Sequence, residues 1–167
     1  MDQSKAARAA LMLARPKRDQ WFGDSVVREA DGRPRVMYHA TGSDIAEFKP
    51  ATHFGTREAA HARLDEIRGW DRGARKERGT GSAYNVMPVH LAIENPLRVK
   101  DSEASNHDEL IDAIGRKKYP GVDHNMAMRK GIVRALSDAG YDGLVYRNRI
   151  EDKGRDSYVN FRPDQVK

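Results

Sequence analysis

Two histidines and one acidic loop are the residues whose type and spacing could do chemistry in this chain. His39 and His53 each sit at the end of a short apolar strand, and each is followed by a small residue and a threonine. The two stretches read Tyr38-His39-Ala40-Thr41 and Thr52-His53-Phe54-Gly55-Thr56. A histidine at a strand end can hydrogen-bond a sugar hydroxyl, and a neighbouring alanine or glycine lets a flat ring approach the backbone. Taken singly, either imidazole reads as a satisfied structural side chain. The acidic loop lies far downstream, at residues 147–156, where Glu151, Asp152 and Asp156 stand among Arg147, Arg149, Lys153 and Arg155. By itself it reads as a charged hairpin loop that keeps a sheet edge soluble. Beside two strand-end histidines it becomes a loop on which a carboxylate could meet a bound ligand.

Several other chemistries are not expected. The chain has no cysteine, which rules out disulfides, thiolate nucleophiles and cysteine zinc sites. Its six histidines show no metal-ligand spacing, so no metal is expected. There is no Walker A loop, and Gly79-Thr80-Gly81-Ser82 has Tyr84 where a dinucleotide fingerprint needs a third glycine. No G-x-S-x-G elbow marks a serine hydrolase. No apolar run approaches the ~20 residues of a membrane span. The apolar run at residues 9–14 is too short for a signal peptide and is followed by Pro16-Lys17-Arg18, so a cytoplasmic protein is expected.

Net charge is +5, with 30 Lys and Arg against 25 Asp and Glu, and the pI is near 9.5. Such a surface can attract nucleic acid or a phosphate-bearing small molecule. The densest basic stretch is residues 68–78, with Arg68, Arg72, Arg75, Lys76 and Arg78. It reads as a solvated loop or as a nucleic-acid contact.

The elements that must position these residues can be read in order. Residues 4–14 predict a helix stopped by Pro16, and Trp21 and Phe22 anchor a docking arm through residue 34. Residues 36–39 and 52–54 predict strands, with Ile45 and Phe48 on one short helical turn between them. Thr56 predicts the N-cap of a helix reaching about residue 68, followed by a polar loop at 70–82. Residues 85–93 read as a strand in which Pro88 implies an edge or bulge, and 97–99 as a short strand. Ser105 is expected to cap a helix to 117, and a second helix runs from about 125 to 139, ended by Gly140. Residues 144–146 and 158–161 are the last two strands, and Pro163 ends the second. Few short strands, several joined by turns, predict an α+β domain with a split or mostly antiparallel sheet. The division expected is an arm at 1–34 and one globular unit at 35–167.

Four stretches in this order resemble a known family: YHAT, THFGTREAA, NPLRV, and GYDGLVYRNRIE with DSYVNFRPDQVK. They are similar to the ADP-ribosyltransferase-like domain of phage polyvalent and head-associated proteins. More distantly they resemble the catalytic domains of poly(ADP-ribose) polymerases and diphtheria toxin. The lead-in WFGDSVVREADGRPRVMYHAT is also similar to the phage forms, so the resemblance covers about residues 21–167.

The resemblance implies a split antiparallel sheet around a cleft for NAD, bound as substrate without a metal. Tyr38, His39, Ala40, Thr41, His53, Phe54, Thr56 and Asn148 would bind it. His39 would bond the ribose next to adenine, the Ala40 backbone would pair with the nicotinamide amide, and Thr41 would support that loop. His53 would occupy the place of a nicotinamide-stacking tyrosine, with Phe54 and Thr56 completing that wall. A carboxylate would stabilise the charge that develops as the glycosidic bond breaks. Glu151, which matches a glutamate of the phage forms, is the first candidate and Asp156 the second.

The chain departs from the family pattern at Ala40, where the usual residue is glycine, and at Ser157, where the polymerases carry the carboxylate. The polymerases' second nicotinamide-facing aromatic has no counterpart near residues 62–64. The implied activity is transfer of one ADP-ribose unit to a protein or nucleic-acid acceptor in a bacterial host, by a phage or prophage effector. Residues 68–78 would touch that acceptor. Two other readings stay open: a non-catalytic member of the fold, favoured by Ala40 and Ser157, and a basic nucleic-acid-binding module.

Overall fold

A computed structural model describes residues 20–73 and 84–167. The helix expected at 4–14 and residues 74–78 of the basic stretch lie outside them. Among the described residues, six strands form two sheets. Strand β1, Met37–Thr41, pairs antiparallel with β3, Asn85–Val89, in a two-stranded sheet. Strands β2 (His53–Phe54), β4 (Pro96–Val99), β5 (Gly143–Arg147) and β6 (Asp156–Asn160) form the other, in the order β2-β6-β5-β4. Only β4 and β5 run parallel. That pairing needs a long crossover, which α2 (Asp101–Ser105), α3 (His107–Gly115), α4 (His124–Lys130) and α5 (Ile132–Asp138) supply.

Period-two alternation on β5 sorts the core. Leu144 and Tyr146 face the crossover helices, packing with Leu110, Ile114 and Leu136. Val145 faces the other way, towards Phe54, Met37, Leu91 and Tyr158. Buried on both faces, the central strand reads as the unbroken apolar run it is.

The two sheets meet at single bridges. Tyr38 and Gly55 exchange backbone hydrogen bonds of 2.9 Å in each direction, and Leu91 bridges Val166. Because Tyr38 turns both its backbone groups to Gly55, Pro88 opposite it on β3 has no ladder bond to supply there. Helix α1, Arg57–Gly73, leans on β1 and β3 through Ala60 and Leu64. The Thr56 hydroxyl caps it, accepting the Ala59 N–H at 3.1 Å. Gly55 lets the helix come in this close, since a Cβ there would lie 2.9 Å from the Ala59 Cβ.

Several boundaries differ from those predicted. Helix α1 runs through Gly69 to Gly73 rather than ending near 68, because one interior glycine costs only about 1 kcal/mol. Ile45 and Phe48 lie in irregular chain on either side of a bend at residues 46–47 rather than on a helical turn. Asn106, not Ser105, caps the helix that follows; its carboxamide accepts the N–H groups of Asp108 and Glu109, and Ser105 ends α2 instead. The expected helix at 125–139 is two helices, broken at Gly131, whose φ of 83° no helix accommodates.

Residues 20–34 join the same core as the rest of the chain. Phe22 and Val27 are fully buried, the Trp21 indole donates to the Asp164 carbonyl at 2.8 Å, and the Ser25 hydroxyl donates to the Leu91 carbonyl at 2.7 Å. No helix among the described residues is long and apolar enough to cross a membrane.

Candidate active site

Beyond the Tyr38–Gly55 bridge the two sheets diverge and leave a cleft of about 470 Å³, within the range of ligand-binding pockets. Strand β1 forms one wall and β2 the floor. Helix α1 lines the cleft through Ala59, Ala60, Arg63 and Ile67. Tyr146 and Ser157 come from β5 and β6, and Asn148, Ile150 and Glu151 from the loop between them.

His39 is held in one tautomer. Its Nδ1 lies 2.8 Å from the His53 carbonyl, which can only accept, so Nδ1 carries the proton. Burial holds the ring's pKa below its usual range, and the neutral imidazole keeps Nε2 as an acceptor. The rings of Phe48 and Phe54 fix its plane, with centroids 5.5 and 5.7 Å away. One residue on, the alternation of an antiparallel ladder turns the N–H and C=O of Ala40 to the same side as those of Tyr38. Tyr38 uses its own on Gly55; Ala40 lies past the end of that bridge and lines the cleft.

His53 and Tyr146 face each other across β6. Their centroids are 5.8 Å apart, and His53 Nδ1 lies 3.1 Å from the Tyr146 hydroxyl. Burial pushes the His53 pKa down to about 4, with the charges of His107, His39 and Arg63 adding to it and Asp101 opposing. Burial and the nearby Glu151 carboxylate push the Tyr146 phenol up. Both are neutral at pH 7, and Tyr146 supplies an aromatic ring to the cleft from β5.

Asn148 organises the acidic loop. Its carbonyl oxygen accepts the N–H groups of Ile150 (3.0 Å), Glu151 (2.9 Å) and Asp152 (3.2 Å), folding the chain into a tight turn. Its amide donates to the Glu151 carboxylate at 2.6 Å and lies 3.4 Å from the Ser157 hydroxyl. The side chain is buried and committed on both ends, which makes it the holder of Glu151. Two further bonds clamp the turn: the Arg149 N–H to the Asp101 carboxylate (2.9 Å), and the Thr56 hydroxyl to the Asp152 carboxylate (2.6 Å).

Glu151 therefore faces the cleft and Asp156 does not. Asp156 and Ser157 are consecutive on β6, so their side chains point to opposite faces, and Ser157 has the cleft side. Asp156 takes a forked pair of bonds from Arg98, at 2.8 and 3.1 Å, which holds its carboxyl below the usual carboxylate range. It lines a separate cavity of about 560 Å³ with Glu29, Arg35, Arg57, Asp152 and Arg155. Thr56 also faces that cavity. Thr41 is buried and closes the turn after β1, donating to the Ser43 carbonyl at 2.7 Å and accepting the Ser43 N–H at 3.0 Å. Tyr38 lines both cavities, its hydroxyl accepting from Arg57 at 3.0 Å.

Three cleft residues were not read from the sequence. Asp101 follows β4, and only the parallel register Val99↔Tyr146 brings it beside Arg149. Arg63 sits one helical turn after Ala59, a spacing that could have marked it as facing the same way. Tyr146 was read only as part of a strand. No group of three or more metal-ligating side chains occurs among the described residues.

These features define an α+β domain with a cleft where its sheet splits, a tautomer-fixed histidine on one wall and a held glutamate on the opposite loop. The chain belongs to the family described as ADP-ribosyltransferase in polyvalent proteins, whose model matches residues 29–167. Enzymes of this family use NAD as substrate. No curated protein and no solved structure matches the chain significantly.

Proposed function

We propose that the cleft binds NAD and that the protein transfers one ADP-ribose unit to a macromolecular acceptor, releasing nicotinamide. The observation that carries this reading is that His39, the free edge of Ala40 and Glu151 converge on one cleft. His39 Nε2 would accept a hydrogen bond from a hydroxyl of the ribose next to adenine. The N–H and C=O of Ala40 offer the donor and acceptor that a carboxamide such as that of nicotinamide requires. Tyr146 and His53 supply aromatic surface for the pyridinium ring. Glu151 would accept from the hydroxyls of the nicotinamide ribose. As the glycosidic bond lengthens, the sugar gains oxocarbenium character, and a carboxylate fixed beside it stabilises that charge. The bonding pair leaves with nicotinamide, and the acceptor nucleophile takes the sugar carbon and loses its proton.

Glu151 is a better candidate than Asp156, whose carboxylate is committed to Arg98. The acceptor is a protein or nucleic acid of a bacterial host, approached by a phage or prophage effector in the cytoplasm. Residues 68–78 are the proposed acceptor contact, of which Arg68 lies over the Tyr84 ring at 5.5 Å. The test is incubation of the protein with labelled NAD and a bacterial lysate split into protein and nucleic-acid fractions. Label should enter one fraction, fall at least about 100-fold in Glu151→Gln and persist in Asp156→Asn. Absence of both label and released nicotinamide in the wild type would leave a non-catalytic binding domain, which the departures at Ala40 and Ser157 would then explain.

A further inference from the structure

Among the described residues, one side chain of permanent positive charge lines the cleft, Arg63, while Asp101 and Glu151 line it with negative charge. NAD carries two phosphates, and a cleft holding two carboxylates and no cation would repel them. Arg63 is half-buried on α1, on the same helical face as Ala59, Ala60 and Ile67, all of which line the cleft. Two small residues one turn before it let a ligand come close to the helix there. The charge of Arg63 acts on His39, His53 and Tyr146, which lie on three different strands around the cleft.

In the structure Arg63 pairs with Glu66, Nη1 to Oε2 at 2.8 Å, with both side chains more than two-fifths exposed. An exposed pair of this kind contributes only about 0–1 kcal/mol. A diphosphate, with more charge and the geometry for a forked pair of bonds, competes with it readily.

We propose that Arg63 is the diphosphate-binding residue of the cleft, exchanging Glu66 for the phosphates of the dinucleotide when it binds. The assignment rests on the proposed NAD site. It also gives the ligand a direction, with its phosphates against the middle of α1, adenosine on the His39 side and nicotinamide ribose under Glu151.

The test compares ligands with and without phosphate by calorimetry. NAD, ADP-ribose and nicotinamide riboside are titrated into the wild type, Arg63→Ala and Arg63→Lys, with thermal melts confirming that each variant is folded. Arg63→Ala should weaken NAD and ADP-ribose about 10- to 100-fold, the worth of a charge-assisted contact, and leave nicotinamide riboside unchanged. Arg63→Lys should restore part of the loss, since it keeps the charge without the fork. Wild-type NAD affinity should fall with added salt more steeply than that of Arg63→Ala. Equal NAD affinity in wild type and Arg63→Ala would overturn the assignment while leaving the NAD site standing. Equal loss of all three ligands would also overturn it, assigning Arg63 a purely structural part. Failure of the wild type to bind either NAD or ADP-ribose would remove both the assignment and the site.

Discussion

Asn148 is the residue on which the geometry of Glu151 depends, because one buried carboxamide supplies the acceptor for three loop N–H groups and the donor to the carboxylate. The two ends of that amide can be separated by substitution. Asn148→Ala leaves the three N–H groups without their acceptor and should destabilise the fold by about 2–3 kcal/mol in urea denaturation, with loss of turnover. Asn148→Asp keeps the acceptor oxygens but replaces the donor beside Glu151 with a second negative charge. It should therefore keep more stability than Asn148→Ala, yet lose most of the turnover, because the second carboxylate repels Glu151 from its held position instead of donating to it. Full turnover in Asn148→Asp would mean that the amide does not hold Glu151 for the reaction. Part of this scale was legible in the sequence: the two histidines lie on one cleft, whereas Asp156 stood as a carboxylate candidate although strand alternation turns it away from the cleft. The role of Asn148 was not. Asn, Asp and Ser are common in loops, and nothing local distinguishes one that folds a turn around a carboxylate from one that points to water.

Among the elements, strands were easier to read than helix ends. Strand β5 is a continuous apolar run, and β6 carries the apolar pair Tyr158-Val159 shortly before Pro163, so both stood out. The cap at the start of α3 was misplaced by one residue because Ser105 and Asn106 are both good N-caps, and local chemistry cannot choose between adjacent candidates. Asn106→Ala should lower stability by about 1 kcal/mol, seen as a lower melting temperature, while Ser105→Ala should leave the melt nearly unchanged. The reverse order would return the cap to Ser105. The position of Asp101 was illegible for a different reason. It depends on the parallel pairing of β4 with β5 across some forty intervening residues, and pairings at that distance leave no local trace (β4 ends at Val99 and β5 begins at Gly143). Asp101 accepts the Arg149 N–H at one end of the glutamate turn, so Asp101→Asn, which retains an acceptor, should keep most of the turnover that Asp101→Ala loses.

For the whole molecule, the resemblance carried by four motifs anticipated the split-sheet architecture, although their order along the chain differs from the strand order β2-β6-β5-β4 in the sheet. It did not foresee how much titratable chemistry the closed cleft buries, because burial is a property of the assembled fold. His53 is the clearest case, with its pKa pushed from an ordinary 6.5 to about 4 by desolvation and by the charges of His107, His39 and Arg63 against a weaker pull from Asp101. His39 is shifted the same way by burial. A histidine whose folded pKa is depressed binds fewer protons in the native state than in the unfolded chain between those two values. Its contribution is full above pH 6.5 and is lost as the pH falls towards 4. For His53 the difference amounts to about 2–3 kcal/mol by pH 4.5. The carboxylates held low by their partners, Asp156 and Glu103, have ordinary values of 3.8 and 4.5, so their losses fall mainly below this window. Urea denaturation at pH 7.5 and 4.5 isolates the imidazoles. The wild type should lose about 2–3 kcal/mol or more between the two, and His53→Gln, which keeps a polar partner for Tyr146 but cannot titrate, should lose correspondingly less. If wild type and variant lose the same amount, His53 is not buried neutral, and the cleft floor is wetter than the packing of His53 against Tyr146 implies.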